Sequence, residues 1–540
     1  MNHRTLATIA VLLFALWGCP CRHVLGGEGK TRSVFMPLEL RERAWANIRQ
    51  DEAMTRLRDQ IVERARPWME LSDDQVWGLM FGPGITRSWM VWSDGHCPAC
   101  GKSVPMYNWR MDALSRPWKT WCPHCAAVFP ANDFEAFYRS GLDRRGIFDP
   151  ALADRSLLFN AAHPDPNDPR HRFGVDDGEG FVQDGKRWRF IGAYLVDGMN
   201  LGLFALGLDL MPDFGYPPVQ FGGWDSARSR WYHMTASHNT IVVDGKNQAN
   251  ASGTTTLWKD GRVLKAVRAS CPAMIGGRQF ERTVASVDAG TGRFYVLDVF
   301  RVVGGKDHAK FMHSHFATLR AEGLKLEPGL DYEYGTHMRN FRHDTAPGPG
   351  WNVTWDIEDR YGYLTDGARV RLRYTDLTAG GAVATAEAWV IQGGYDSSQE
   401  TWIPRLMVRR TADREPLASC FVGIIEPYSN QSAIQAVERL VPTVEGKAMP
   451  DGNVALRVDL ADGRADLIVV LDTENPLNLR PSRADGAVQV SAWGLVTDAE
   501  LCLVRLNAAG QVEAATRCGG TFIELRGQRF HTDQPADHDH

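Results

Sequence analysis

Two pairs of cysteines in the N-terminal third of this 540-residue chain have the spacing of a metal site. Cys97-Pro-Ala-Cys100 and Cys122-Pro-His-Cys125 are separated by 21 residues. Each CxxC turn presents two thiolates, and two such turns close a tetrahedral four-sulfur site around Zn²⁺. Such a site has no open coordination position, so the metal would stabilise a small module without taking part in a reaction. Two disulfides or a redox-active pair are the alternative interpretations.

The remaining cysteines outside the N-terminal segment are scattered through the second half of the chain. They are Cys271, Cys420, Cys502 and Cys518. Four scattered cysteines do not define a disulfide framework. Cys502 and Cys518 could bridge a hairpin, and two buried free thiols are the alternative.

The N-terminus is organised like an export signal. Arg4 precedes an apolar run from Leu6 to Trp17, which ends at Gly18 and Cys19. The run is shorter than the roughly 20 residues of a membrane-spanning helix, so we expect no integral span. The residues before Cys19 also resemble a lipobox, which leaves a lipid anchor at Cys19 or plain cleavage as alternatives. Both predict an exported protein of the periplasm, the cell envelope or the medium.

The composition is that of a chain with a buried core. Hydrophobic residues make up 44% of the sequence and charged residues 23%. The formal net charge of -5 gives no overall basic field, so nucleic-acid binding is not expected. A local group of arginines and lysines could still bind an anionic polymer. The 18 tryptophans suit large β-sheet cores or flat platforms for sugar rings.

The sequence pattern predicts a mainly β protein with a large antiparallel β-sandwich, an N-terminal helical arm and a small zinc-ribbon module. Apolar residues at spacings of three and four indicate the helices, and short β-branched and aromatic runs between turn signals indicate the sandwich. A Pro- and Gly-rich polar stretch between them is typical of a loop. The predicted segments are a signal peptide at 1–27, the arm at 28–90, the zinc ribbon at 91–145, an irregular linker at 146–196, the sandwich at 197–530 and a polar tail at 531–540.

Two sets of motifs resemble heparinase II/III-type polysaccharide lyases. Around the cysteines, Asn108-Trp-Arg and Phe129-Pro-Ala-Asn-Asp-Phe134 resemble the zinc-ribbon insertion of that family. Further along, Gly207-Leu-Asp-Leu-Met-Pro-Asp213 and Ser237-His-Asn-Thr-Ile-Val-Val-Asp244 resemble the opening strands of its C-terminal sandwich. The resemblance implies β-elimination on uronate-containing, anionic polysaccharide, in which one group neutralises the C5 carboxylate and a base removes the neighbouring proton.

The resemblance also implies a second metal site, usually zinc, in the sandwich. Asp213 and His238 match two of the family's ligands, and the third is a histidine of a His-x-His-x-Asp motif just upstream. Counting back from Asp213 places the motif's Asp at Asp197 and its histidines at Ala193 and Leu195. Neither alanine nor leucine can bind a metal, so we expect an incomplete or water-completed site. The first of the two histidines is also catalytic in the family, so the resemblance implies the loss of a catalytic group as well. The alternative is that His238 caps a turn.

The resemblance is partial, because these lyases carry a helical toroid between ribbon and sandwich. Here the residues from Tyr194 to Asn200 run directly into the first sandwich strand. The remaining catalytic candidates are Tyr232 and His238, with Tyr216 and Arg230 nearby. Three hypotheses follow: an exported lyase with weak or no activity, a non-catalytic carbohydrate-binding or envelope protein, and a truncated gene model of an active lyase.

Overall fold

A computed structural model of the chain describes residues 38–72, 75, 90–92, 97, 99–104, 108–112, 114–116, 119–129, 131–142, 151–160, 163–171, 181–183, 186–191 and 198–530, except 250, 252, 291, 333, 365–367, 395 and 478–485. The predicted signal with Cys19, the positions of Ala193, Leu195 and Asp197, and the polar tail lie outside these residues. The chain divides into two compact units, residues 1–82 with 88–191 and residues 83–87 with 192–540. The finer boundaries predicted from the sequence remain a prediction. None of the described helices is long and apolar enough to cross a membrane.

The first unit contains two consecutive helices and a group of very short strands. Helix α1 spans Leu38–Gln50 and helix α2 spans Glu52–Met69. Between them, the Asp51 carboxylate accepts the N–H groups of Ala53 and Met54, which caps α2 and separates the two helices. The described strands and the third α-helix of this unit are β1 Met90–Trp92, β2 Arg110–Met111, β3 Thr120–Trp121, β4 Val128–Phe129, α3 Phe134–Ser140, β5 Phe181–Gln183 and β6 Lys186–Ile191.

A strand hairpin lies within the range that the sequence predicted as an irregular linker. Strands β5 and β6 pair with each other, and β6 also pairs with β1, in the order β1-β6-β5. The segment Lys186-Arg-Trp-Arg-Phe-Ile alternates basic and aromatic residues, which is the period of a strand. The surrounding prolines and glycines obscured this short pattern.

The second unit is built almost entirely from antiparallel strands, which confirms the predicted mainly β fold. Among the residues of this unit that the structure describes, one α-helix, α4, spans Ala227–Tyr232. The strands are, in chain order, β7 Leu203–Ala205, β8 Leu208–Met211, β9 Ile241–Val243, β10 Thr254–Asp260, β11 Leu264–Ser270, β12 Gln279–Gly290, β13 Arg293–Val303, β14 Asp307–His313, β15 Ala317–Glu322, β16 Glu327–Pro328, β17 Met338–Asp344, β18 Asn352–Ile357, β19 Arg371–Asp376, β20 Ala382–Ile391, β21 Glu400–Thr411, β22 Ala418–Tyr428, β23 Ile434–Leu440, β24 Thr443–Val444, β25 Lys447–Ala448, β26 Val454–Leu460, β27 Ala465–Val470, β28 Val488–Val490, β29 Leu495–Thr497, β30 Leu501–Leu506, β31 Val512–Cys518, β32 Ile523–Leu525 and β33 Gln528–Phe530.

These strands form four main sheets and one small hairpin, β7–β8. Sheet 1 has the order β16-β17-β20-β21-β14-β9, and sheet 2 the order β10-β11-β12-β13-β22-β19-β18-β15. Sheet 3 has the order β23-β26-β27-β30-β31, and sheet 4 the order β25-β24-β28-β29-β32-β33. Sheets 1 and 2 interleave along the chain, whereas sheets 3 and 4 come entirely from the segment 434–530.

The four sheets are stacked, so the two middle sheets are buried on both faces. On β13, Val296 and Phe300 belong to the core shared with sheet 1, while Leu297 and Val299 belong to the core shared with sheet 3. Successive side chains of a strand point to opposite faces, so a strand between two cores becomes a continuous apolar run. A third core joins sheets 3 and 4, and α4 with nearby loops covers the outer face of sheet 1. The predicted sandwich is therefore a stack of four sheets.

A buried carboxylate links sheet 2 to sheet 1 inside this stack. Asp298 accepts two hydrogen bonds from Arg282, at 2.7 and 2.8 Å, and one from Lys310, at 2.7 Å. None of the three side chains is more than 4% exposed. Burial opposes ionisation, but the charges of Arg282 and Lys310 outweigh it and hold the pKa of the Asp298 carboxyl well below its usual value.

We expect Asp298→Asn to lower the free energy of unfolding by about 3–5 kcal/mol at neutral pH, because it leaves two buried cations without their counter-charge. Since the folded pKa lies below the unfolded value, this contribution is complete above about pH 5 and declines as the pH falls through the unfolded and then the folded pKa. Urea denaturation at several pH values measures both effects. Asp260→Asn, with a side chain 67% exposed, is the control. Equal losses in the two variants would contradict the prediction.

Candidate functional site

The four cysteines of the two CxxC motifs converge on one point in the first unit. Their sulfur atoms all lie within 4.8 Å of one another. The Sγ atoms of Cys97 and Cys125 are 3.7 Å apart, and those of Cys100 and Cys122 are 3.9 Å apart. A disulfide needs about 2.05 Å, and all four thiols are free. The predicted grouping of the four sulfurs is confirmed.

Each CxxC pair forms the same backbone turn. The N–H of Gly101 bonds the carbonyl of Cys97 at 2.8 Å, and the N–H of Ala126 bonds the carbonyl of Cys122 at 3.0 Å. The residue after the second cysteine is left-handed in both turns, with φ of 68° at Gly101 and 60° at Ala126. Strands β3 and β4 flank the second turn, so the sheet fixes where its two sulfurs point. The two turns present four sulfurs from opposite sides.

The arrangement fits a tetrahedral metal ion. Zn–S bonds of about 2.3 Å at tetrahedral angles place neighbouring sulfurs about 3.8 Å apart, which matches the two distances above. Burial raises the pKa of Cys97 to about 12. For Cys122 the effect of burial is outweighed by the N–H groups of His124 and Cys125, and the pKa falls to about 7. These four cysteines could therefore hold a metal ion once deprotonated.

Asp213 and His238 come together in the second unit. The Nδ1 atom of His238 lies 3.1 Å from Oδ2 of Asp213, and the His238 side chain is only 2% exposed. The same Oδ2 accepts a hydrogen bond from the Asn200 amide at 3.1 Å. Among the described residues, the four cysteines are the only group of three or more potential ligands with metal-binding geometry. Asp213 and His238 thus supply two ligands where an open zinc site uses three, and we derive no metal chemistry from them.

The backbone around His238 is fixed by a buried arginine. Arg405 is fully buried and donates to the carbonyl oxygens of Ala236, Ser237 and His238, the last two at 2.9 Å. It also bonds Nδ1 of His313 at 2.6 Å. Burial lowers the pKa of Arg405 to about 9. This role of Arg405 was not predictable from local spacing, because Arg405 lies 167 positions beyond His238 in the chain.

Tyr232 lies in the core covering sheet 1 rather than at an open surface. Its side chain is 3% exposed, and its hydroxyl oxygen accepts the N–H of Ile391 at 2.9 Å. Burial raises the pKa of the phenol to about 12. The ring contacts Phe214 at a centroid distance of 5.2 Å. These features favour packing over proton transfer as the role of Tyr232.

Two pairs of exposed aromatic rings lie on loops of the second unit. Tyr216 and Trp224 are 52% and 54% exposed, with ring centroids 5.2 Å apart. Tyr361 and Tyr363 are 40% and 71% exposed, with centroids 5.7 Å apart. Of these four residues only Tyr216 was a candidate from the sequence, although Tyr361-Gly-Tyr363 is a pattern typical of an exposed aromatic turn. Arg230, the other local candidate, is exposed on α4.

The loops that carry these pairs are joined to each other. The Gln220 amide donates to the carbonyl of Ser397 at 2.5 Å. The N–H of Gly393 in the same loop donates to the Tyr361 hydroxyl at 2.8 Å. The Tyr361 ring is also 5.8 Å from that of His315, whose N–H bonds the carbonyl of Leu210 close to Asp213. Both aromatic pairs therefore belong to the end of the stack that carries Asp213.

Cys502 and Cys518 do not form the hairpin bridge considered from the sequence. They lie on the paired strands β30 and β31, where Cys502 faces Arg517 and Cys518 faces Leu501. Because they occupy adjacent register positions, their side chains point to opposite faces of sheet 3. Cys502 belongs to the core with sheet 4, and Cys518 packs against the core with sheet 2. Both are free thiols.

Comparison with known families identifies part of the second unit. Residues 197–294 match the family model described as Heparinase II/III-like, C-terminal. The matched segment belongs to the heparinase II/III-like family. Within this heparinase II/III-like segment lie Asp213, His238 and the strands from β7 to the start of β13. No curated relative matches the chain in sequence.

Solved heparinase structures resemble the chain only in part. Heparan sulfate lyase HepC from Pedobacter heparinus has 18% sequence identity and a TM-score of 0.35, over 51% of this chain and 36% of that enzyme. The heparinase III BT4657 gene product has 14% identity and a TM-score of 0.35, over 49% and 35%. The chain spans about a third of the length of these solved chains. The assignment to the heparinase II/III-like family therefore depends on the sequence match.

The two cysteine turns give a matched pair of substitutions. We expect Ala126→Gly to stabilise its turn by about 1 kcal/mol, because alanine is strained at positive φ and its side chain here is exposed. Gly101→Ala should destabilise the other turn by a similar amount, since a Cβ there meets no atom within 4 Å and only the backbone conformation matters. Hydrogen exchange of the Ala126 and Gly101 amides measures local opening. If the two substitutions changed the free energy of local opening in the same direction, this account would be contradicted.

Proposed function

We propose that this protein is an exported heparinase II/III-like protein that contacts anionic polysaccharide and has weak or no lyase activity in its present form. The supporting observation is that the family match over 197–294 includes both Asp213 and His238, which the fold brings to 3.1 Å. The polysaccharide remains to be identified. The solved relatives include a heparan sulfate lyase, which makes heparan sulfate the first polymer to test.

Lyase chemistry requires more groups than the described residues supply. A carboxylate neutraliser, a base and an acid must meet at one sugar unit. Arg230 is exposed and could meet a carboxylate, but Tyr232 is buried with its hydroxyl engaged. His238 is buried against Asp213, and the sequence places Ala193 and Leu195 where the resemblance implies histidines. Removing members of a cooperating catalytic set costs several orders of magnitude in rate. We therefore expect the protein to bind polysaccharide without cleaving it efficiently.

A second candidate function is non-catalytic carbohydrate binding, and the exposed aromatic rings favour it. Tyr216 with Trp224, and Tyr361 with Tyr363, present apolar ring faces at the end of the stack that carries Asp213. Such rings suit the C–H faces of sugars, and they provide large contact areas at low conformational cost. This function requires no catalytic group.

Export and lipid attachment remain part of the proposal. The charged start and apolar run before Cys19 support secretion, and Cys19 is the residue that a diacylglyceryl group would modify. A truncated gene model of an active lyase is the remaining alternative. Sequencing the locus across the codons for Gly192 to Asn200 tests it, because an uninterrupted genomic reading frame there rules it out.

We further propose that the four cysteines bind one structural zinc ion. The sulfur separations of 3.7 and 3.9 Å support zinc binding. The structural role follows because four protein ligands leave no coordination position for a substrate. When bound, the metal would hold the two cysteine turns together and would supply folding energy to the first unit.

The zinc proposal predicts one zinc ion per chain in protein purified without chelator. Elemental analysis measures the metal, and thiol titration after its removal measures the four freed cysteines. Cys97→Ser should lose most of the zinc, because it removes one of the four ligands. Cys518→Ser, a free thiol in the second unit, should keep it. A metal-free protein with two disulfides among the four cysteines would refute the proposal.

The main proposal predicts binding without efficient cleavage. We expect alginate, heparan sulfate or chondroitin to bind, and the ultraviolet absorbance of unsaturated uronate to rise slowly or not at all. Rapid product formation would contradict the weak-activity proposal, while binding with no product on any polymer favours the non-catalytic function. Trp224→Ala should weaken binding about tenfold, or ~1.4 kcal/mol. Trp258→Ala, 70% exposed on β10, is the matched control and should bind as the unmodified protein does.

A further inference from the structure

A groove of about 730 Å³ lies beside the edge of sheet 1 and shares no residue with the surroundings of Asp213 and His238. Its volume is within the range of about 300–1,000 Å³ typical of small-ligand sites. It is lined by the edge strand β16, the loop that follows it, the end of β17 and part of β21. Neither the family match nor the sequence motifs include these residues.

Two rings in the groove are held in fixed positions. Tyr334 is 50% exposed and packs on Gly245, where a Cβ would overlap the ring. His343 packs on Gly329 in the same way, and its Nε2 lies 2.8 Å from the carbonyl of Leu330. Glycine at both contacts permits this close approach. The groove therefore presents a pre-positioned aromatic face, beside the 89% exposed side chain of Leu330.

The charged groups of the groove are predominantly acidic. Among the described lining residues, the carboxylates are Glu327, Asp331 and Asp344, and the cations are Lys325 and Arg409. Arg409 is already neutralised, because it donates to both carboxylate oxygens of Asp307, at 2.8 and 2.7 Å. Three carboxylates against one lysine leave an excess of two negative charges among the lining residues. The Arg342 guanidinium, which donates to the carbonyl of Leu326 at 2.7 Å beside the groove, reduces this excess to one. An anionic polymer would be repelled here, and a cation would be attracted.

The edge of the sheet disfavours an extended peptide as the ligand. Strand β16 is the last strand of sheet 1 and consists only of Glu327 and Pro328. A peptide that adds to a sheet edge does so through backbone hydrogen bonds, and proline has no N–H to offer. The ligand must instead use the aromatic face and the carboxylates.

We propose that this groove binds an oligosaccharide of amino sugars with free, protonated amines. The C–H face of one sugar lies on Tyr334, and the ammonium groups of successive sugars in the chain meet the carboxylates of Glu327 and Asp331. An ammonium group near the Tyr334 ring gains further from the electrons of that ring. This binding is independent of the proposed contact with anionic polysaccharide, because no residue is common to the two sites.

Calorimetric titration of the full chain with a β-1,4-linked glucosamine tetramer, in slightly acidic low-salt buffer, tests the proposal. We expect saturable binding that weakens as salt is added, because exposed charge pairs are screened. Tyr334→Ala should weaken binding about tenfold or more, and Asp331→Asn should weaken it severalfold. Trp258→Ala, 70% exposed and outside both the groove and the exposed aromatic pairs, is the matched control and should leave binding unchanged. Thermal unfolding of each variant verifies that it is folded.

Several outcomes overturn the proposal. No saturable binding of the tetramer rejects it outright. If the fully N-acetylated tetramer binds as tightly as the glucosamine tetramer, charge plays no role in binding. If a lysine tetrapeptide binds more tightly than the glucosamine tetramer, the ligand of the groove is a basic peptide and not a sugar. If Tyr363→Ala weakens binding of the tetramer as much as Tyr334→Ala does, the ligand binds at the exposed aromatic pairs and not in the groove. Titration of the same variants with heparan sulfate separates the two sites, because Tyr334→Ala should leave that interaction unchanged.

Discussion

The Asp298 carboxylate is the constraint on which the second unit depends. It binds Arg282 within sheet 2 and Lys310 in sheet 1, so it joins the two largest sheets at their common core. Arg282 also donates to the carbonyl oxygens of Met199 and Asn239, at 2.5 and 2.7 Å. The N–H of Asn239 bonds Asn200, whose amide reaches Asp213. A continuous set of hydrogen bonds therefore runs from the core to the Asp213–His238 pair, and the site takes its geometry from a buried charge.

The features of this protein that depend on local residue spacing could be predicted from the sequence. The four cysteines were identifiable because the CxxC spacing alone places two thiolates on one tight turn. The β character was identifiable from short apolar runs between turn residues. The four-sheet stack was not identifiable from the sequence. Strands such as β13 and β27 are buried on both faces, and a continuous apolar run does not indicate how many layers surround the strand. Arg405 was not predictable either, since its partners at 236–238 are distant in sequence. The resemblance to a family suggested Asp213 and His238; nothing in their local spacing did.

The two units differ in what stabilises them. The first has short strands, and the cysteines Cys97 and Cys122 with Trp109 and Val104 form its small described core. A module of this size gains much of its stability from a bound metal. The second unit has three extended interlayer cores and several buried ion pairs, which supply its stabilising contacts. The first unit, with the smaller core, carries the complete set of four sulfur ligands. The second unit, with the larger cores, carries only the pair Asp213 and His238.

The order of the sheets along the chain has a consequence for biosynthesis. Sheet 2 is complete only when β22 has been made, and its second face then remains uncovered until the segment 434–530 emerges. Until that point Tyr295, Leu297 and Val299 have no partner layer from sheet 3. A chain that pauses there exposes a wide apolar face, which is an aggregation hazard. Sheet 3 thus acts as an intramolecular cover for sheet 2, and collapse of the first two sheets alone leaves the core between sheets 2 and 3 unformed.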